Sequence, residues 1–198
     1  MYGSYVISFG AKGGFLFAGT MFAGIFRSSD NGITWSSVNN GVIDKWITSF
    51  AVKGDSLFAG CFNRGVLVSV DNGNSWQQLS KNGMLSGQVN SLYVFNKKLF
   101  AGTPYGICST SNFSSWNSLN NGLPVSSGSI FWVNVISSFG SKLIVGANTT
   151  GAFLSSDEGA NWTAVSGIPS NAIITSILYA NNIIYTGAGT IHKAAGFA

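Results

Sequence analysis

Charged residues are scarce in this chain of 198 residues, which has ten Lys and Arg and six Asp and Glu. So little charge excludes a coiled coil or long solvated helices, and the 45% hydrophobic content excludes a disordered chain. The basic residues are scattered, so no basic stripe predicts a nucleic-acid partner. No apolar run reaches the roughly 18 residues of a membrane helix, and we expect no membrane insertion.

Residues that commonly carry catalysis or bind metals are equally few. The single histidine, His192, lies far in sequence from Cys61 and Cys108, so the sequence predicts no metal site and no cofactor. The cysteines occupy non-equivalent positions in the repeats described below, and we expect two buried free thiols. Glu158 is the single glutamate, which leaves little material for acid–base chemistry.

Internal repeats dominate what is present. A Leu-Phe-Ala-Gly segment recurs with two weaker copies, and its closing glycines are Gly19, Gly60, Gly102, Gly146 and Gly187. An octapeptide follows each of the first four copies, at residues 28–35, 69–76, 109–116 and 155–162. Two markers that share one period indicate a repeat protein.

Each repeat has the pattern of four short strands. In the second repeat the predicted strands are residues 46–52, 56–60, 65–70 and 75–79, separated by clusters of Gly, Asn and Asp. Four antiparallel strands per repeat are the unit of a β-propeller blade. The sequence therefore predicts an all-β fold, a single β-propeller of four-stranded antiparallel blades over residues 1–198. Four full blades and a partial fifth are expected at approximately 4–40, 46–81, 88–120, 130–166 and 172–193.

The octapeptide, Ser-x-Asp-x-Gly-x-Thr/Ser-Trp, resembles the Asp-box of the BNR repeat β-propeller family. That family includes sialidases, sortilin-type receptors, xyloglucan-cleaving glycosidases and photosystem II assembly factors. The flanking Phe-Ala-Gly-Thr and Asn-Asn-Gly-Leu segments are similar to those of secreted bacterial propellers of unassigned function. The resemblance covers the whole chain and implies an extracellular or periplasmic location within a larger protein.

The box residues are expected to be structural. The aspartate can accept backbone N–H bonds across a tight turn, the glycine supplies positive φ, and the tryptophan fills the space between sheets. These residues are Asp30, Gly32, Trp35, Asp71, Gly73, Trp76, Trp116, Asp157, Gly159 and Trp162. The third copy has Ser111 and Phe113 in place of the aspartate and glycine, so its turn must close differently.

The supply of acids outside the boxes limits any catalytic role. Glycoside hydrolysis ordinarily needs two carboxylates, and the sialidase variant needs a Tyr activated by a Glu together with several arginines. Only Asp44 and Asp55 lie outside the boxes, and we expect them on opposite faces, with Asp44 beside Lys45 as a solvated ion pair. We therefore predict no catalytic residue. The alternative is a fragment of a sialidase- or xyloglucanase-like glycoside hydrolase whose other acids lie elsewhere.

Two classes of loop are expected to line one face around a central channel. They join the second and third strands of a blade, or join one blade to the next. The candidate ligand-binding residues are Phe22, Asp44, Trp46, Phe62, Asn63, Arg64, Tyr105, Trp132 and Asn148. Such side chains suit stacking on sugar rings or clamping an extended peptide, although the aromatics could instead plug the channel. The prediction is a non-catalytic recognition or scaffolding module for a glycan or protein ligand.

The fifth repeat is incomplete, because the sequence covers little beyond its second strand. An open fifth blade would expose the apolar faces of the first and last blades. We expect the chain to be a segment of a larger ring. Self-association of copies through the exposed blade edges is the other expectation.

Overall fold

The computed structural model describes residues 4–125, 131–187 and 191–194. Every regular element in these ranges is a β-strand, which confirms the all-β prediction. The strands form five antiparallel sheets that follow one another along the chain, and within each sheet the strands pair in sequence order. We call these sheets blades 1 to 5.

The blades contain 19 strands. Blade 1 contains β1 (Val6–Lys12), β2 (Phe15–Thr20), β3 (Ile25–Ser28) and β4 (Ser36–Ser37). Blade 2 contains β5 (Ile47–Lys53), β6 (Ser56–Cys61), β7 (Gly65–Ser69) and β8 (Gln77–Gln78). Blade 3 contains β9 (Ser91–Phe95), β10 (Lys98–Thr103), β11 (Gly106–Thr110) and β12 (Asn117–Ser118). Blade 4 contains β13 (Val133–Phe139), β14 (Lys142–Ala147), β15 (Ala152–Ser155) and β16 (Thr163–Ala164). Blade 5 contains β17 (Ser176–Ala180), β18 (Ile183–Gly187) and β19 (Ile191–Ala194).

The strand bounds differ from the sequence prediction at the outer strands and in blade 5. The fourth strand of each complete blade is only two residues long, because the tight turn before it uses the residues that could have extended it. Blade 5 has a four-residue third strand instead of a stub. Residue 130, where the fourth predicted blade begins, lies outside the described residues.

The hydrophobic core is divided into four clusters, one in each space between neighbouring blades. Between blades 1 and 2, Phe17 and Ile25 of the first blade pack with Ile47, Leu67 and Trp76 of the second. All five side chains are at most 3% exposed. Because the apolar residues point between blades, each blade is stabilised mainly by its neighbours.

The repeated glycine of the second strand lets the next blade approach closely. A Cβ atom added to this glycine would come within 3.0 Å of a β-branched side chain of the following blade. This contact occurs at all four junctions, between Gly19 and Ile47, Gly60 and Val89, Gly102 and Val133, and Gly146 and Ile174. The recurrence of this glycine in the sequence therefore reflects a steric requirement of blade packing.

The Asn-Gly loops that leave the fourth strands hold the box of the next blade. The backbone N–H groups of Trp76, Trp116 and Trp162 donate to the carbonyl oxygens of residues 40, 82 and 121 at 2.8 to 2.9 Å. The glycine that follows each carbonyl has positive φ, and a Cβ there would clash with the carbonyl oxygen of the same tryptophan. These glycines are Gly41, Gly83 and Gly122.

Candidate ligand-binding site

The first strands of all blades begin at one end of the blade array, which we call the mouth. Strand direction alternates within a blade, so the loops between second and third strands lie at the mouth and the Asp-box turns lie at the opposite end. Backbone bonds join the two classes of mouth loop, since the N–H groups of Phe62 and Asn148 donate to the carbonyl oxygens of Trp46 and Trp132 at 3.0 and 2.9 Å. The mouth is therefore a connected surface.

A groove with a cavity volume of about 290 Å³ opens at the mouth, and we call it the mouth groove. It is lined by Ile7, Trp46, Thr48, Phe62, Gln88, Asn90, Trp132 and Asn134, which come from blades 1 to 4. The rings of Trp46 and Phe62 stack with centroids 3.9 Å apart and an angle of 10° between their planes. Phe22 lies tilted against Trp46 at 5.9 Å and is 62% exposed. One side of the groove is thus the stacked pair of Trp46 and Phe62, and Phe22 packs on Trp46 outside the lining.

Amide and hydroxyl groups line the floor of the groove. Thr48, Asn90 and Asn134 occupy the same place in three blades, and each donates to a backbone carbonyl oxygen of the next blade at 2.6, 3.2 and 3.1 Å. Gln88 Nε2 donates to Asn90 Oδ1 at 2.9 Å. Within the described part of the chain, the side-chain oxygens of Gln88 and Asn134 have no hydrogen-bond donor. Two acceptors therefore remain available to a ligand.

The indole N–H groups distinguish the groove tryptophans from those of the boxes. Trp76, Trp116 and Trp162 donate Nε1–H to carbonyl oxygens of the preceding blade at 2.8 to 3.1 Å. Trp46 and Trp132 donate to no acceptor among the residues that the structure describes, and both line the groove. Partly buried indole N–H groups usually find an acceptor. Two indole donors with no acceptor in the described part of the chain therefore belong to residues that line the groove.

The structure places Asp44 as a brace between mouth loops. Its Oδ1 accepts the backbone N–H of Trp46 at 3.1 Å, and its Oδ2 accepts that of Asn63 at 2.8 Å. No Asp44–Lys45 ion pair forms among the described residues, so the expected solvated pair is replaced by these backbone bonds. Asp44 supports the loops that carry Trp46 and Phe62, which sequence reasoning did not anticipate.

The other candidate residues lie at the mouth but outside the groove lining. Asn63 and Arg64 are exposed, and the Arg64 carbonyl accepts a bond from Gln78. Tyr105 is 43% exposed and pairs with Phe131 across a short parallel bridge. Asn148 contributes its backbone to the loop contact described above. Of the nine predicted residues, the groove brings together Trp46, Phe62 and Trp132.

Sequence reasoning missed the polar lining residues Thr48, Asn90 and Asn134. Each follows the β-branched residue that packs on the repeated glycine of the preceding blade. Aligning the repeats on that residue would have placed all three at one position facing the channel. The signal was therefore present, but it required the register of the first strands, which contain a bulge at this point in blades 1, 2 and 4.

The Asp-boxes lie at the end opposite the mouth and are closed by hydrogen bonds. In the first box, Asp30 Oδ1 accepts the N–H of Thr34 at 2.9 Å, and Gly32 N–H donates to Ser28 Oγ at 2.8 Å. The hydroxyl and N–H of Thr34 lower the pKa of Asp30 to about 2. Boxes two and four have the same bonds around Asp71 and Asp157. The glycines Gly32, Gly73 and Gly159 have φ between 81° and 89°.

The third box closes with a different set of side chains. Asn112 Oδ1 accepts the N–H groups of Ser114 and Ser115 at 3.1 and 3.2 Å, so it takes the acceptor role of the missing aspartate. Phe113 has a φ of 62°, and its ring packs on Phe58 of blade 2 with centroids 5.1 Å apart. The turn thus replaces a glycine with an aromatic contact between blades.

The structure describes all six Asp and Glu residues of the chain, and their carboxyl groups do not cluster at one site. Three aspartates are held in the box turns, and Glu158 forms an ion pair with Lys98 at 2.8 Å. Asp55 lies exposed in the turn between β5 and β6, at the box end of blade 2. Asp44 is therefore the single acid at the mouth.

The described residues contain no candidate metal site, and their two cysteines are buried. No cluster of three or more His, Cys, Asp or Glu side chains occurs in that part of the chain. Cys61 and Cys108 are buried and free, and burial raises the pKa of each thiol to about 12. Nor does this part of the chain contain a helix with the length and hydrophobicity needed to span a lipid bilayer.

Comparison with known proteins identifies the repeat and the fold. Residues 26–41 match the BNR/Asp-box repeat model. No curated protein sequence matches the chain. The extracellular domain of BT4673 from B. thetaiotaomicron is similar in structure, with a TM-score of 0.76 and 17% identity over 98% of this chain and 26% of that one.

Two further solved structures extend this comparison. YCF48 bound to D1 peptide has a TM-score of 0.69 and 15% identity, over 98% of this chain and 64% of that one. The GH74 xyloglucanase from Xanthomonas campestris has a TM-score of 0.69 and 18% identity, over 98% of this chain and 36% of that one. The chain thus spans less than two thirds of the length of each of these three structures. The repeat match, the sheet order and these likenesses agree, and the chain is a β-propeller protein that carries the BNR/Asp-box repeat.

Proposed function

We propose that this chain is a non-catalytic recognition module that binds a neutral glycan in the mouth groove. The observation that carries the proposal is the pair of indole N–H groups of Trp46 and Trp132, which have no acceptor among the described residues and lie beside the ring stack of Trp46 and Phe62. In contrast, the box tryptophans Trp76, Trp116 and Trp162 donate their indole N–H groups to backbone carbonyl oxygens. A donor without a protein acceptor is available to a ligand hydroxyl.

The lining chemistry favours a sugar. Pyranose rings offer apolar C–H faces that stack on aromatic rings, and hydroxyls that both donate and accept hydrogen bonds. The groove supplies aromatic faces, two indole donors, and free side-chain oxygens on Gln88 and Asn134. None of its described lining residues is charged. A neutral oligosaccharide matches this set better than an anionic or cationic ligand does.

The acid positions support a binding role over hydrolysis. A glycosidase needs two carboxyl groups about 5 to 9.5 Å apart across the scissile bond. At the mouth this chain offers Asp44 alone, and both of its oxygens accept backbone N–H groups. A hydrolase fragment is the alternative because GH74 enzymes share the fold, and it would require acids from outside this chain.

A location outside the cytoplasm, within a larger protein, is part of the proposal. Its support is the similarity to the extracellular domains of BT4673 and BT3049 from B. thetaiotaomicron. The chain covers 26% and 27% of those two structures, so the matched segment is about a quarter of each.

Calorimetric titration with cello-oligosaccharides and xyloglucan oligosaccharides tests the binding proposal. We expect Trp132→Phe, which keeps an aromatic ring but removes the N–H group, to weaken binding about tenfold, and Trp46→Ala to weaken it further. Trp35→Phe, in a box turn far from the groove, is the matched control and should bind as the unmodified chain does. Absence of binding to every glycan, or binding that the groove variants leave unchanged, would contradict the proposal.

A reducing-sugar assay separates the alternatives. If the chain is a hydrolase fragment, a longer protein that supplies the other acids would release reducing sugar from xyloglucan, and Asp44→Asn would abolish that release. The glycan-binding proposal expects no release, and a lower affinity for Asp44→Asn because the amide cannot accept both backbone N–H groups that Asp44 holds. Binding to synthetic extended peptides in place of glycans would assign the groove to a protein ligand instead.

A further inference from the structure

One position of the mouth groove is repeated in three successive blades. Trp46, Gln88 and Trp132 each stand directly before the β-branched residue that packs on the repeated glycine of the preceding blade. All three line the groove and are half-buried. Blades 2, 3 and 4 therefore present an aromatic ring, an amide and an aromatic ring in order. We call these three residues the groove row.

The orientation of the Gln88 amide follows from a chain of hydrogen bonds that ends on the backbone of blade 4. The carbonyl oxygen of Val133 can only accept, so the group of Asn90 that reaches it at 3.2 Å is the amide nitrogen Nδ2. Asn90 Oδ1 is then left to accept, and Gln88 Nε2 donates to it at 2.9 Å. We call this chain of bonds the amide relay.

The amide relay determines which atom Gln88 offers to a ligand. Its nitrogen is bound to Asn90, and its Oε1 has no donor among the residues that the structure describes. A ligand that covers this oxygen without donating to it would leave a polar atom buried and unpaired, which is costly. The middle of the groove row therefore favours a ligand with a hydroxyl at that place.

The two tryptophans of the groove row belong to blades that are not neighbours. Blade 3 packs against blade 2 on one face and against blade 4 on the other. Because packed sheets lie about 10 Å apart, a ligand that stacks on both Trp46 and Trp132 has to cross blade 3 and pass Gln88. A chain of several sugar units can do this, whereas a single unit cannot.

We propose that the mouth groove binds a linear oligosaccharide across blades 2 to 4, and that Gln88 determines its specificity. One sugar unit stacks on Trp46, another lies against Trp132, and a hydroxyl between them donates to Gln88 Oε1. Asn90 is a positioning residue, because it acts by orienting the Gln88 amide. The assignment rests on the proposed function, since it concerns the same groove and gives the length and central contact of its ligand.

Calorimetric titration with disaccharides and tetrasaccharides of the linear cello-, manno- and xylo-oligosaccharide series tests the length of the site. We expect the tetrasaccharide of the series that binds to have an affinity at least about tenfold higher than its disaccharide, because only the longer chain reaches both indole rings. In Trp132→Ala the tetrasaccharide should bind no more tightly than the disaccharide binds the unmodified chain.

Gln88→Leu keeps the size of the side chain and removes its acceptor oxygen. It should weaken tetrasaccharide binding about fivefold. Gln77→Leu makes the same change on the exposed strand β8 and is the matched control, with unchanged affinity expected. If Gln88→Leu lowers the yield of folded protein, Gln88→Ile takes its place, because Ile173 holds the equivalent position in blade 5.

Asn90→Thr tests the amide relay without removing the contact between blades. Threonine holds this position in blade 2, where Thr48 Oγ1 donates to the Val89 carbonyl oxygen at 2.6 Å. The variant should keep the bond to blade 4 and lose the Oδ1 atom that orients Gln88. We expect it to weaken tetrasaccharide binding about as much as Gln88→Leu does, and to have little further effect when Gln88 is already leucine.

The possible results separate this assignment from the proposed function. Absence of binding to every glycan, xyloglucan oligosaccharides included, would contradict both. Glycan binding in the groove with equal affinity for disaccharide and tetrasaccharide would overturn the assignment alone. The same holds for binding of xyloglucan oligosaccharides without any linear series, for unchanged affinity in Gln88→Leu, and for additive losses from Gln88→Leu and Asn90→Thr.

Discussion

The tryptophans of the boxes and those of the mouth groove occupy contrasting environments in one fold. Trp76, Trp116 and Trp162 are 3 to 4% exposed, and each indole N–H is bonded to the preceding blade. Trp46 and Trp132 are partly exposed, line the groove, and donate their N–H groups to no residue that the structure describes. A side chain whose bonding capacity is met within the protein serves the fold, whereas unmet capacity at an accessible groove indicates a ligand.

Truncating equivalent box tryptophans should have unequal effects, and this is the largest difference that we expect. Trp76→Ala removes a buried ring and its bond to Val38, and should lower the free energy of unfolding by about 3 to 5 kcal/mol. Trp35→Ala removes a half-buried ring whose N–H group bonds within its own turn, and should cost about 1 kcal/mol. Urea denaturation followed by circular dichroism measures both. Equal losses would mean that the box turn alone, and not the junction between blades, determines the stabilisation.

Replacing tryptophan by phenylalanine keeps the ring and removes only the N–H group, so it measures what that group contributes to stability in a box and in the groove. Trp162→Phe loses the bond from Nε1 to the Leu119 oxygen and should lower the free energy of unfolding by about 1 to 3 kcal/mol. Trp132→Phe loses no protein bond within the described residues and should change it by less than about 0.5 kcal/mol. The same denaturation measurement applies. A large loss for Trp132→Phe would show that this residue serves the fold, which would remove the main support for the groove.

Acidification should produce the smallest effect, and it concerns the box end alone. The hydroxyl and N–H of Ser75 lower the pKa of Asp71 from 3.8 to about 2. A lowered pKa in the folded state means that the ionised carboxylate stabilises the fold above pH 3.8, and that this contribution is lost as the pH falls to about 2.

Asp71→Asn should therefore flatten the decline of unfolding free energy over that pH interval and lower stability at neutral pH. Ser75→Ala, which removes the largest cause of the shift, should give an intermediate slope. Denaturation midpoints across the acid range measure the slopes. An unchanged slope in Asp71→Asn would show that the box hydrogen bonds do not stabilise the carboxylate.

The repeats made the architecture predictable. Gly19, Gly60, Gly102, Gly146 and Gly187 recur because each blade must approach its neighbour closely, so a steric requirement appears in the sequence as a period. The similarity of the Asp-box suggested a turn held by side chains, and the bonds of Asp30 and Asp157 have that form. Features of this kind depend on residues close together in the sequence, so composition and spacing are enough to predict them.

The candidate site was only partly predictable. Trp46, Phe62 and Trp132 could be expected at the mouth, because aromatic residues in channel-facing loops are conspicuous in the sequence. Asp44 could be located in a loop, but its partners could not be inferred, since one of them, Asn63, belongs to a loop 19 residues away. The lining amide Asn134 depends on strand register, which a bulge in the first strand of blade 4 displaces by one residue.

By itself the sequence determined the repeat, the strand order within a blade, the box turns and the shortage of catalytic acids. The tertiary structure alone decided which indole N–H groups find acceptors among the described residues and which acid braces the mouth. The physical reason is the sequence separation of the interacting groups. Turns and strand pairing arise from neighbours in the chain, whereas the satisfaction of a hydrogen bond and the burial of a face depend on groups that only packing brings together.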